Sequence, residues 1–203
     1  MAGTGRKTLA NYSSYRESDK PLTAESLATS FGYMTVEEVR MLKYAVGLIE
    51  PGTTTKIVNV GAGAGTSSLA IREASLWALL YSIDISPGGP LGGFDGETNA
   101  FKQAFLHPTH HPIQMLGDSG EIAANWQSGP VDMVFIDDGH HYDDISRDIK
   151  SWWPILKTGG IIAFHDYGAA VWPDVAMAVD ELVINASVLC QVHTFKAFRK
   201  LGE

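Results

Sequence analysis

The chain has 203 residues, 45% of them hydrophobic and 19% charged, which suits one globular domain of ordinary size and excludes a disordered chain. A formal net charge of −8 with no basic run argues against nucleic acid as a partner, because phosphate-backbone affinity rests on Lys and Arg. The lone cysteine, Cys190, excludes a disulfide framework; no signal-peptide core and no bilayer-length apolar run is found, so a cytoplasmic location without a membrane partner is expected.

Residues 1–34 are polar and rich in Ser and Thr, with scattered aromatics, and read as an N-terminal arm or lid; residues 35–203 read as the domain. In "TVEEVRMLKYAVGLIE", Val36, Val39, Leu42, Val46 and Ile49 recur at helical spacing, and Thr35 followed by Glu38 has the form of a capping box. Pro51 and Gly52 end that helix. Strands and helices then alternate: "KIVNV", helix "SSLAIREA", "ALLYSID", helix "GETNAFKQAFL", "PIQML", helix "GEIAANW", "VDMVFID", helix "DDISRDIKSWWPIL", "GGIIAFHD" and helix "VAMAVDELVI". "SVLCQV" and "TFKAFRK" close the chain as an antiparallel hairpin turning near His193. This order predicts an α/β fold: a Rossmann-like, doubly wound sheet of seven strands, mostly parallel with a C-terminal antiparallel hairpin.

Ligands of such sheets sit outside the carboxyl ends of the strands. After the first strand come Gly61, Gly63 and Gly65, where backbone can lie against a ligand beside a helix N-terminus. The dinucleotide form of this turn wants a third glycine where Thr66 stands, which counts against NAD. Asp84 follows the second strand and can accept both hydroxyls of a ribose, or serve as a turn residue. Asp118 and Ser119 follow the third. Ser119 fits a helix N-cap, and Asp118 could accept from an adenine amino group.

These strand ends, in "VNVGAGAG", "YSID", "LGDS" and "FIDDGHHYDDISRDIKSWWPILKTGGIIAFHDY", resemble the class I S-adenosylmethionine-dependent methyltransferases over about residues 35 to 200. The last block is similar to the branch of small bacterial O-methyltransferases that includes macrocin O-methyltransferase-like and cephalosporin-hydroxylase-like proteins. The resemblance implies S-adenosylmethionine as cofactor, a small-molecule hydroxyl as acceptor, and a homodimer as a common assembly. It also implies that Gly61, Gly63 and Gly65 wrap the methionine part, Asp84 holds the ribose, Asp118 and Ser119 border the adenine, and Asp137 lies beside the methyl group. One departure is Asn59, where the family usually carries an acid; the contact to the cofactor would run through the amide.

Methyl transfer to oxygen needs a donor held in line with the acceptor and a means of removing a proton: a general base, or a divalent cation that acidifies the acceptor. Asp137 ends the fourth strand, and His165 with Asp166 ends the fifth, side by side in a parallel sheet. Metal-dependent relatives carry oxygen ligands at these places, so Asp137, His165 and Asp166 are the candidate ligands for a divalent cation such as Mg²⁺, with an imidazole replacing one oxygen. His140, a short step past the fourth strand, is the candidate general base, with Asp137 and Asp166 as the other catalytic candidates. Asp143 and Asp144 suit a helix start, and His141, His110 and His111 suit loops. Trp152 and Trp153 read as core; Tyr167, Trp172 and, from the arm, Tyr12, Tyr15 and Tyr33 could line an acceptor pocket. The competing readings are an NAD-dependent oxidoreductase and a non-catalytic cofactor-binding module.

Overall fold

The computed structural model describes residues 20–31, 33–52, 54–88, 92–104 and 106–202. Helices α1 (Ala24–Phe31) and α2 (Val36–Gly47) precede strand β1 (Lys56–Val60). Then come α3 (Thr66–Ala74), β2 (Leu79–Asp84), α4 (Gly93–Gln103), β3 (Ile113–Leu116), α5 (Ser119–Ala124), β4 (Val131–Ile136), α6 (Tyr142–Trp152), β5 (Leu156–Phe164), α7 (Pro173–Leu182), β6 (Ala186–Val192) and β7 (Phe195–Lys200). One sheet of seven strands forms in the order β3-β2-β1-β4-β5-β7-β6. The five strands β1 to β5 pair in parallel, and β7 is antiparallel to both β5 and β6.

Alternation along β4 explains how one strand serves two cores. Met133 and Phe135 face the layer holding α1, α2 and α3, while Val134 and Ile136 face α6 and α7. Strands buried on both sides favour apolar residues on both faces, which is why residues 133–136 of β4 and 161–164 of β5 are apolar runs, while β1 carries one buried polar residue, Asn59. Helix α1 lies within the segment read as an arm, and its Ala24, Leu27 and Ala28, with Leu22 before it, are buried in the first of these cores. The capping box of α2 forms as expected: Glu38 N–H donates to Thr35 Oγ1, and Thr35 N–H donates to Glu38 Oε2 at 2.8 Å. Helix α6 stops at Trp152 rather than Leu156: Trp153 keeps helical backbone and donates to Ile149 O, but Pro154 has no amide hydrogen to make the next bond. Leu156 starts β5 instead.

Register then aligns the strand ends. Val60 pairs with both Ile83 and Ile136, and Ile136 pairs with Phe164. The residues that follow this row, Gly61, Asp84, Asp137 and His165, therefore share one edge of the sheet. Backbone bonds extend the row by a step: Gly61 N–H donates to Ile83 O, Asp137 N–H to Val60 O and His165 N–H to Ile136 O. Among the described residues, no helix is long and apolar enough to cross a membrane.

Candidate active site

The glycine turn lies against the end of β4. A Cβ on Gly61 would stand 2.1 Å from the Asp137 carbonyl oxygen, at a φ of +89° that side chains rarely adopt, so only glycine fits. Gly63 and Gly65 also have positive φ, and Gly65 lets the backbone of Glu97 in α4 approach. A cavity of about 110 Å³ opens here, lined by Gly61, Gly63, Thr66, Tyr33 and Met34, with Asp137 on its wall. Thr66 Oγ1, at the start of α3, is buried with no protein partner among the described residues.

Asp84 ties this turn to β2. Its Oδ2 accepts from the backbone N–H of Ala62 and Gly63, at 3.0 and 3.3 Å, and its Oδ1 accepts from Ser86 N–H at 2.8 Å. A carboxylate offers about four acceptor directions, so it can still receive a ribose hydroxyl. Asn59 does not line the cavity. It is fully buried, and its amide donates to Ser68 Oγ at 2.7 Å; Ser68 donates in turn to the buried Glu97, which also accepts from Ser82 at 2.6 Å and Gln114 at 2.8 Å. Burial raises the Glu97 carboxyl above its ordinary range, against these donors.

Asp118, and not Ser119, caps α5: its Oδ1 accepts from Glu121 N–H at 3.0 Å. The physical reason is reach, since the cap residue must precede the first helical residue, and Ser119 already has helical backbone. Ser119 Oγ accepts from the indole N–H of the buried Trp152 at 2.8 Å, so this hydroxyl belongs to the core.

At the ends of β4 and β5 the charged residues meet. His140 Nε2 lies 2.8 Å from Asp166 Oδ2. His165 Nδ1 lies 3.3 Å from Asp137 Oδ1 and 3.2 Å from Asp166 Oδ2. The other ring nitrogen, Nε2, lies 3.3 Å from Glu38 Oε2. Burial would push His165 down, but the Asp137, Asp166 and Glu38 carboxylates outweigh it and push the imidazole up to about 12. In return, hydrogen bonds from His140 and His165 hold Asp166 well below the carboxylate range in spite of burial. For His140 the bond to Asp166 raises the imidazole against the effect of burial. Asp166 adopts a φ of +56°, a strained backbone for a residue with a Cβ and a common mark of functional positions.

Asp137, His140, His165 and Asp166 thus lie together at the ends of β4 and β5. Asp137, His140 and Asp166 each bring one donor atom within 4.8 Å of the others, a grouping whose third member is His140 and not the expected His165. Trp172 stacks on the His140 ring at 4.5 Å, covering one of its faces. Tyr167 is held elsewhere: its hydroxyl donates to Asp180 at 2.8 Å and its ring lies under the Lys196 ammonium. Tyr33 lines the glycine-turn cavity, whereas Tyr12 and Tyr15 lie outside the described residues. His141 is exposed, and His111 packs edge-on against Phe101.

Glu38 was legible only as a helix cap. Only 2% of it is exposed, and it accepts from Thr35 N–H and Oγ1, from Thr194 N–H at 2.9 Å and Oγ1 at 2.7 Å, and from His165. Against burial, these donors, His165 first, hold its carboxyl far below the usual range. The signal that could have revealed it is an acid beyond the reach of solvent, which periodicity alone does not distinguish from a surface cap.

Residues 58–167 match a family described as "Methyltransferase domain". Among solved structures, the chain is similar to the O-methyltransferase TomG of Streptomyces achromogenes, involved in tomaymycin synthesis and determined with SAM: 16% identity, 98% of this chain and 93% of that one, TM-score 0.67. It is similar to the SAH-bound methyltransferase PaMTH1 of Podospora anserina at 17% identity, over 100% and 99% of the two chains, with TM-score 0.65. An rRNA methylase of Streptococcus thermophilus shares the fold at 14% identity, over 81% of this chain and 97% of that one, with TM-score 0.60. The uncharacterised protein y4gI of Sinorhizobium fredii is 23% identical over 141 residues; the match covers 64% of this chain and 15% of that much longer protein.

Proposed function

The chain belongs to the methyltransferase domain family, with S-adenosylmethionine as methyl donor, and from that premise we propose that it methylates a hydroxyl oxygen of a small molecule. The observation that carries this reading is the His140–Asp166 pair, 2.8 Å apart, beside Asp137 on the cavity wall. A base held by a carboxylate is what an alcohol or phenol requires and what a more acidic acceptor does not.

The residues divide the work. The glycine turn and the start of α3 take the methionine end of the donor, and Asp84 takes the ribose. Asp137 presents a carboxylate to the sulfonium. Because Asp166 is ionised and can only accept, His140 Nε2 carries a hydrogen and Nδ1 is the nitrogen that takes a proton. As the acceptor oxygen bonds to the methyl carbon, the carbon–sulfur bond breaks with its electron pair going to sulfur, and the acceptor proton passes to His140 Nδ1. Asp166 then stabilises the imidazolium.

The net charge of −8 supports a small acceptor over RNA, although the fold is shared with an rRNA methylase. The test is release of S-adenosylhomocysteine with a panel of phenols, sugar hydroxyls and an rRNA fragment, after calorimetry has established donor binding. Transfer to a hydroxylated compound supports the reading. Transfer to rRNA alone, or only to nitrogen acceptors, would sink it. Calorimetry with NAD in place of the methyl donor should show no binding.

A further inference from the structure

Two carboxylates at adjacent strand ends, Asp137 and Asp166, need a cation between them, and the residues present do not offer a divalent ion a good fit. A carboxylate can accept a hydrogen bond but not donate one, so each imidazole nitrogen facing it must carry a hydrogen. Both nitrogens of His165 face carboxylates, Nδ1 toward Asp137 and Asp166 and Nε2 toward Glu38. Such a ring has no lone pair for a metal. His140 Nε2 is turned to Asp166, and its one lone pair, on Nδ1, is the one that receives the acceptor proton. The grouping of Asp137, His140 and Asp166 is therefore one whose oxygens already receive hydrogen bonds from two imidazoles.

We propose that the His165 imidazolium, clamped by Glu38, stands where a divalent cation would otherwise neutralise Asp137 and Asp166, and that methyl transfer in this chain needs no metal. His165 is 7% exposed, so it supplies charge without meeting the acceptor, and proton removal falls to His140. Glu38 is a positioning residue. Its carboxylate gathers α2, the β6–β7 turn and His165 at one point, and it turns the ring so that Nδ1 faces the acid pair. Three carboxylates around this imidazolium leave the cluster negative, which suits a sulfonium donor. The inference rests on the methyl-transfer reading for its purpose, but its binding and spectroscopic tests do not require turnover.

The experiment titrates the S-adenosylhomocysteine-loaded protein with Mn²⁺ and Mg²⁺ by calorimetry, and records the ¹⁵N spectrum of the histidine side chains at about pH 8, where an ordinary imidazole is neutral. We expect no saturable metal binding, one imidazole with both nitrogens protonated, and turnover unaffected by a chelator. That imidazole signal should vanish in Glu38→Gln, with turnover reduced roughly tenfold to a hundredfold and donor affinity kept. His165→Asp, which restores an oxygen donor, should acquire Mn²⁺ binding. Saturable binding of Mn²⁺ to the wild-type protein at micromolar concentrations overturns the proposal, as does a neutral His165 at that pH. An His165→Asp variant that binds S-adenosylhomocysteine but no Mn²⁺ also overturns it. If that variant does not fold, the wild-type titration and spectrum decide.

Discussion

His140 and Asp166 act as a pair, and the consequence can be measured. Asp166 raises the His140 imidazole, so turnover should fall as pH drops through a value above the ordinary histidine range. Asp166→Asn should move that fall to lower pH and reduce kcat by about two to four orders of magnitude, while donor affinity changes little. An unshifted profile would remove His140 as the base. Asp148 in α6 gives a second residue-scale test. It is 2% exposed, its Oδ1 has no protein partner among the described residues, and burial, helped by Asp138, pushes its carboxyl up to about 7 in spite of a bond from Ser119. The folded state therefore holds a proton that the unfolded chain releases near the ordinary aspartate value of 3.8. Stability is fullest below that value and is lost as pH rises through about 7. Asp148→Asn should thus be more stable than wild type at about pH 8, by up to a few kcal/mol, with the difference shrinking toward about pH 4. Denaturant melts across that range check it; a constant difference would count against the buried proton.

At the scale of elements, the packing of the glycine turn on β4 decides where the donor lies. Gly61→Ala would press a methyl group into the Asp137 carbonyl and must displace either the turn or the strand end. We expect a loss of about 2–3 kcal/mol in stability, from clash and backbone strain, together with a donor affinity at least roughly tenfold weaker. Calorimetry and denaturation on one preparation test both, and unchanged values in each would show that the turn can move at little cost. Local signals located these elements well. The capping box at Thr35 spans only three residues, and the charge at the end of β4 follows directly from where the apolar run stops. Less legible was the boundary of α6. There Pro154 ends the helix about one turn short of its apolar pattern, because a residue without an amide hydrogen cannot continue the hydrogen-bond ladder whatever the periodicity.

For the whole molecule, the distribution of charge makes the last prediction. With no basic run and a net charge of −8, the protein should show no salt-dependent affinity for an rRNA fragment in a filter or anisotropy assay. Affinity that falls steeply with added salt would return RNA to consideration as the acceptor. The sequence by itself determined the alternation of strands and helices, the glycine turn, and the placing of Asp84, Asp137, His165 and Asp166 at strand ends, since each depends on neighbours a few residues away. Tertiary structure alone decided which of those ends stand together and what else joins them. Glu38 is 127 residues from His165 and 156 from Thr194, and they meet because β7 inserts beside β5 while α2 packs across the same face. It also withdrew Ser119 into the core through Trp152 and turned Asn59 toward Ser68. A local pattern can state that a side chain is polar and where its strand ends; only the sheet order and register, set by burial over the whole chain, state which partner it faces.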